Sequence, residues 1–291
     1  MGKAVKILAL IVLCGVLGCC YQVGMQHDKK KADPSAKAMN DAKLSAYFPA
    51  FQMTRSDEDT DATDAKPMDL AQAEGECLIT EGGKYLLKGE LRGRIRIAAE
   101  EETVHLFLAG VTVQSTEGPA LLAESTGKVI LTLAEGTENR FSDSGRYQHY
   151  LDQDACLFGR GDITINGAGT LRVNGLYRDG IRSSNMMKVA GGQIFITCKR
   201  NGIHGSDGIH VSGGRVQISS EKNGFRTTKH GAEGRGDLII SGGEHQIIAG
   251  RYAFLVSRAD LYVYDCRILD KSVVGAYNVG GRARIESGCI Q

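Results

Sequence analysis

The sequence has no tryptophan, only 4 prolines and 6% aromatic residues in 291. Its repeated part holds no apolar stretch of helix length, which argues against a helical solenoid or bundle there. No CxxC pair and no zinc-ligand spacing occurs, so a structural zinc module is excluded. Five cysteines lie beyond the first 20 residues, at Cys77, Cys156, Cys198, Cys266 and Cys289. An odd count argues against a complete disulfide framework. Neither charge sign dominates, since the formal net charge is +1. That balance conceals an asymmetry of about −4 over residues 1–150 and about +5 over 151–291. A local basic surface on the second half is therefore expected.

Glycine is abundant, with 38 residues, and it recurs at fixed places. Arg178-Asp179-Gly180-Ile181-Arg182, Arg200-Asn201-Gly202-Ile203-His204 and Lys222-Asn223-Gly224-Phe225-Arg226 follow one another with a period of 22 residues. A Gly-Gly signature recurs between them, as Val189-Ala190-Gly191-Gly192, Val211-Ser212-Gly213-Gly214 and Ile240-Ser241-Gly242-Gly243. A fixed period in this range marks a repeat architecture. Short alternating runs broken by Gly and Asn are strands with tight corners. The reading is an all-β parallel β-helix with one coil per repeat. The pattern of any residue, a small residue, then an apolar one extends to Pro119-Ala120-Leu121, Asp154-Ala155-Cys156, Tyr252-Ala253-Phe254 and Gly275-Ala276-Tyr277. Coils stack roughly 4.8 Å apart, so each repeat position becomes a column.

Along the chain, residues 1–20 have the form of an export signal. Lys3 and Lys6 precede an apolar run, Ile7 to Val16, too short to span a bilayer. Val16-Leu17-Gly18-Cys19 resembles a lipobox, with Cys19 as the acylated residue. The expectation is an extracytoplasmic protein tethered to the membrane by lipid, or a secreted one if that cysteine is not modified. Residues 21–75 read as a flexible polar linker, with an acidic run from Asp57 to Asp64 that lacks the Gly and Glu of an EF-hand. From Glu76 short strands begin, so residues 76–291 are assigned to the β-helix. Thr137 to Tyr150 reads as a polar excursion, and Thr227 to Gly236 as a second loop.

The run Val129-Ile130-Leu131-Thr132-Leu133-Ala134-Glu135-Gly136-Thr137-Glu138-Asn139, with Ala155-Cys156-Leu157-Phe158, Asp162 to Leu171 and Asp179-Gly180-Ile181, resembles a bacterial, mostly clostridial family. Its members are exported carbohydrate-binding domain-containing proteins. The resemblance covers roughly residues 76–270. It implies a right-handed parallel β-helix of the pectate-lyase type, binding of plant-type polysaccharide including acidic pectic chains, and calcium at Asp-rich turns. It does not imply catalysis. On this pattern Asp154, Asp179, Asn201 and Asn223 form the column where calcium is expected. Asn in place of Asp removes carboxylates that calcium wants. The competing reading of the column is a hydrogen-bonded ladder at the turns.

Two basic columns flank it. Arg178, Arg200, Lys222 and Arg251 precede the key position, and Arg182, His204 and Arg226 follow it by three. Arg binds carboxylates in a bidentate way, so a uronate polymer laid along the stack is the expected partner. Tyr177 and Tyr252 lie beside these columns and are candidates for stacking on sugar rings. The bland alternative is solubilising charge at turns. The function expected is non-catalytic binding of an acidic polysaccharide, with no nucleic-acid partner. The rivals are a lyase, in which a basic residue takes the proton α to a uronate carboxylate, and a cell-surface scaffold with no glycan site. For a hydrolase, Asp154 and Asp179 are the sole adjacent acidic pair of the column, a weak signal.

Overall fold

The computed structural model describes residues 49–147, 153–229 and 235–291, and Cys19 and Tyr150 lie outside them. The chain is a parallel β-helix. Among the described residues all strands run parallel, in one sheet of 16 strands and one of 9. The larger sheet folds into two faces, because Gly83–Arg92 and Thr103–Gln114 are long enough to run along both. Thr103–Gln114 pairs with Lys128–Leu133 through its first half and with Glu138–Ser142 through its last residues. Lys128–Leu133 leads the arm that continues through Asp162–Gly167, Met186–Val189 and Gly208–Val211. The other arm continues through Thr170–Gly175, Gln193–Cys198 and Arg215–Ser220. The nine-stranded face includes Ala155–Gly159, Asp179–Ser183, Asn201–Gly205, Asn223–Thr227 and Tyr252–Val256.

The repeat signatures have direct causes. On the nine-stranded face Leu121, Leu157, Ile181, Ile203, Phe225 and Phe254 are paired in register, and all are buried in the core. The glycine before three of these residues lets the strand approach its own coil. A Cβ on Gly180, Gly202 or Gly224 would stand 2.4, 2.5 or 2.6 Å from Cγ2 of Ile196, Ile218 or Ile247. The second glycine of each Gly-Gly pair, at Gly192, Gly214 and Gly243, has φ of 89°, 79° and 91°. That left-handed corner is one other residues rarely adopt.

Three sequence expectations are corrected. First, Ile181 pairs with Leu157, so Asp179 pairs with Ala155. Asp154 therefore lies one residue before the Asp179 position, in the row of Arg178. Ala155 and Cys156 are both small and apolar, so the repeat pattern fits in either of two registers.

Second, Glu138–Ser142 is a regular strand, and the excursion starts only after it. Asn139 is buried inward, where Oδ1 accepts the N–H groups of Gly110 (3.0 Å) and Val111 (2.9 Å).

Third, residues 49–75 are not a free linker. They form a strap across the face that begins with Lys128–Leu133. Phe51 is buried beside Met186, Ile239, Tyr262 and Tyr264. Arg55–Glu58 is one helical turn with a capping box between Thr54 and Asp57. The Asp57 carboxylate is wholly buried, 2.5 Å from Lys128 Nζ, 3.3 Å from Lys188 Nζ and 2.5 Å from the Thr164 hydroxyl. Burial alone would raise its pKa, but the Lys128 and Thr164 hydrogen bonds hold it far below the usual carboxylate range. Lys66–Asp69 then joins the sheet beside Gly83–Arg92, and Leu70 enters the core. The acidic run looked solvated because its lysine partners are about 70 and 130 residues away in sequence.

Candidate functional site

The nine-stranded face carries the basic columns, and backbone bonds stack the first of them. Arg200 N–H donates to Arg178 O (2.9 Å), Lys222 to Arg200 (3.0 Å) and Arg251 to Lys222 (2.7 Å). The second column is in register as expected, with Arg182 paired to His204 and His204 to Arg226.

Between them, Asp179, Asn201 and Asn223 point inward. Asp179 Oδ1 accepts the Asn201 N–H (3.0 Å) and its side-chain amide (2.8 Å). Asn201 Oδ1 in turn accepts from the Asn223 amide (2.8 Å). All three are buried. This is the hydrogen-bonded ladder. It pairs Asp179 Oδ1, the Asn201 amide and the Asn223 N–H2 beside the core, and leaves Asn223 Oδ1 without a partner among the described residues.

The calcium expectation does not fit these donors. Asp179 Oδ1 is taken by Asn201, and Oδ2 lies 3.0 Å from His204 Nδ1. Asp154, offset by one residue, is ringed by Arg178 Nη1 (3.3 Å), Arg200 Nη1 (2.8 Å) and Arg182 Nη1. A cation at Asp154 would meet three guanidiniums. Among the described residues no three His, Cys, Asp or Glu side chains converge as a cation site. The pair Asp154 and Asp179 also fails as opposed hydrolytic carboxylates, since one faces arginines and the other the ladder.

The structure gathers Arg178, Arg182, Arg200 and Arg226 around Asp154. Arg226 is half-buried, and its Nε has no hydrogen-bond partner among the described residues. Burial, then the neighbouring Arg200, lowers its pKa from the ordinary guanidinium value. Lys222 and Arg251 are exposed and continue the first row at its far end, where Arg251 lies over the Tyr252 ring at 5.7 Å.

Two glycan candidates change role. His204 is buried and holds Asp179 with Nδ1 and Thr228 Oγ1 with Nε2 (3.3 Å), so it is not an open contact. Tyr177 stacks on Tyr147, with ring centroids 4.2 Å apart and 19° between planes, while Arg178 lies over it at 5.1 Å. Tyr147 is anchored by its hydroxyl to Asp143 Oδ2 and Ala155 O, each at 2.8 Å. Sequence reasoning missed Asp154 as the arginine counter-charge and Thr228 as a neighbour. The register slip hid the first, and Thr228 follows the repeat unit and carries no motif.

Comparison with known proteins agrees with this architecture. A solved structure, the polysaccharide lyase-like protein from C. thermocellum in its gadolinium derivative, superposes with a TM-score of 0.73 at 27% identity, covering 77% of this chain and 97% of that one. A carbohydrate-binding domain-containing protein of Acetivibrio thermocellus is 37% identical over 146 residues, 47% of this chain. The chain spans about half, 51%, of that relative's length. A family model described as carbohydrate-binding domain-containing protein matches residues 73–274. That match covers more than half of the chain, and with the parallel coils described above it identifies the protein as a member of the carbohydrate-binding domain-containing protein family.

Proposed function

We propose that the chain binds acidic polysaccharide along the nine-stranded face without cleaving it, tethered outside the cell membrane through a lipid on Cys19. The observation that carries the reading is the guanidinium cluster. Arg178 and Arg200 share the Asp154 carboxylate, and the half-buried Arg226 has an Nε with no hydrogen-bond partner among the described residues. A half-buried guanidinium with Arg200 beside it favours an incoming carboxylate. Strand spacing sets successive members of a column about 4.8 Å apart, so a polymer with repeated carboxylates meets several of them at once. Tyr252, which Arg251 overlies on one side, offers a ring face beside the track.

A second reading, a lyase, draws on Arg226 itself. Its lowered pKa brings it closer to a proton acceptor than an ordinary arginine.

The experiment measures binding of the full chain to polygalacturonate and to neutral cellulose, with calcium and with chelator, while following absorbance near 235 nm. Polygalacturonate binding without new absorbance supports the reading. Arg200→Ala and Arg226→Ala should then each weaken it by about tenfold or more, as expected for a charge-assisted hydrogen bond. Rising absorbance that is lost in Arg226→Ala makes the protein a lyase. Binding to neither polymer leaves a scaffold with solvated arginines.

A further inference from the structure

The arginine cluster contains a second arrangement that polymer binding does not use. Asp179 Oδ2 lies 3.0 Å from His204 Nδ1, and His204 Nε2 lies 3.3 Å from Thr228 Oγ1. Asp179 and His204 are buried, while Thr228, at the end of the row, is partly exposed. We infer that Asp179, His204 and Thr228 form a relay that activates the threonine hydroxyl to hydrolyse carboxylic esters on a uronate-bearing polysaccharide. The substrate class rests on the binding reading above; the relay rests on its own geometry.

Each link has a physical reason. Asp179 cannot turn away, because Oδ1 is held by the Asn201 backbone and side-chain amides. A carboxylate facing Nδ1 fixes the tautomer with the proton on Nδ1. Nε2 is then a lone pair, and the Thr228 O–H donates to it. Burial lowers the His204 pKa from its ordinary value, against the pull of Asp179, so the imidazole is neutral and able to accept a proton at neutral pH. Asp179 stays ionised. Burial would raise its pKa, but the bond to His204, then the Arg200 charge and the Asn201 N–H, outweigh it. Arg182 and Arg226 hold the positions in register with His204 on the strands before and after. A guanidinium therefore stands on each side of the relay, where negative charge develops in acyl transfer.

The chemistry balances without an oxidant or a metal. Thr228 Oγ attacks the ester carbonyl carbon, and its proton passes to His204 Nε2. The carbonyl electron pair moves onto oxygen, beside the arginines. Collapse breaks the carbon–oxygen bond to the alcohol, which leaves with the proton from Nε2. Water repeats the sequence on the threonyl ester, releasing the acid and restoring Thr228. The net reaction is ester plus water to acid plus alcohol.

The test uses the full chain with partly O-acetylated and with methyl-esterified polygalacturonate, followed by pH-stat and by acetate or methanol release. A fluorophosphonate probe is mapped by mass spectrometry in parallel. Acid release is expected from one polymer, with the probe on Thr228. Thr228→Val and His204→Gln should each reduce hydrolysis by about 100-fold or more, on the scale of general base catalysis. Thr228→Ser should restore it, which a packing role for the residue would not predict. No acid release from either polymer, while unesterified polygalacturonate still binds, overturns the relay and leaves the binding reading intact. So does hydrolysis that persists in Thr228→Val. If polygalacturonate does not bind at all, the binding reading fails and the probe decides: modification of Thr228 supports the relay, and its absence overturns it.

Discussion

Replacing Asp57 with Asn tests whether the strap is clamped by charge. The carboxylate is wholly buried between Lys128 Nζ at 2.5 Å and Lys188 Nζ at 3.3 Å. Removing one partner of a buried charge pair costs about 3–5 kcal/mol, because the remaining charge is left uncompensated. The loss should fall near the low end. Lys188 Nζ keeps its bond to Gln52 O at 2.5 Å, and the Thr164 hydroxyl can still donate to an amide oxygen. A loss of about 3 kcal/mol in a domain of this size lowers Tm by roughly 6–12 °C. Scanning calorimetry at pH 7 reads the shift, and hydrogen exchange over residues 49–64 shows whether the strap opens first.

Acidification gives the sign. The folded pKa of Asp57 lies below its ordinary value of 3.8, so its stabilisation is present above that value and is lost as pH falls further. The gap between wild type and variant should therefore narrow below about pH 4. Asp57→Asn with Lys188→Met should recover part of the loss, since the more deeply buried of the two ammoniums is then gone and only the partly exposed Lys128 faces the amide. A Tm within 1 °C or so of wild type at pH 7, with unchanged exchange over the strap, would refute the clamp.

Two further outcomes follow from packing and burial. His105 is buried against Phe107, at 4.1 Å between ring centroids, and its Nε2 lies 2.6 Å from Thr132 Oγ1. Burial pushes its pKa down to about 4, so the unfolded chain takes up a proton below about pH 6.5 that the folded one refuses. Stability is lost as pH falls from about 6.5 towards 4, by roughly 3 kcal/mol from this group, and His105→Gln should flatten that part of a urea-midpoint profile. Gly202→Ala places a methyl 2.5 Å from Ile218 Cγ2 and 2.8 Å from Gly224 O. Overpacking against backbone should cost about 1–3 kcal/mol, and an unchanged Tm would show that the coil can widen there.

The architecture was readable because a solenoid repeats its constraints locally. Asp179-Gly180-Ile181, Asn201-Gly202-Ile203 and Asn223-Gly224-Phe225 each state within one coil that a polar residue caps the turn, a glycine admits the neighbouring isoleucine and an apolar residue fills the core. The basic columns were readable for the same reason, since a 22-residue period leaves one register available for them.

Long-range partnership decided the rest. The two registers open to Asp154-Ala155-Cys156 differ by one residue, and only strand pairing shows that Asp154 faces Arg178, Arg182 and Arg200 instead of joining the ladder. His204 reads as a surface base in its column, yet its neighbours Asp179 and Thr228 make it a buried link. Asp57 reads as part of a solvated acidic run until Lys128 and Lys188 meet it across the strap. Periodic apolar and glycine positions are thus set by neighbours in the same or the next coil, which the chain order displays. The partner of a charge is set by which coil or strap folds over it, and only the tertiary structure contains that.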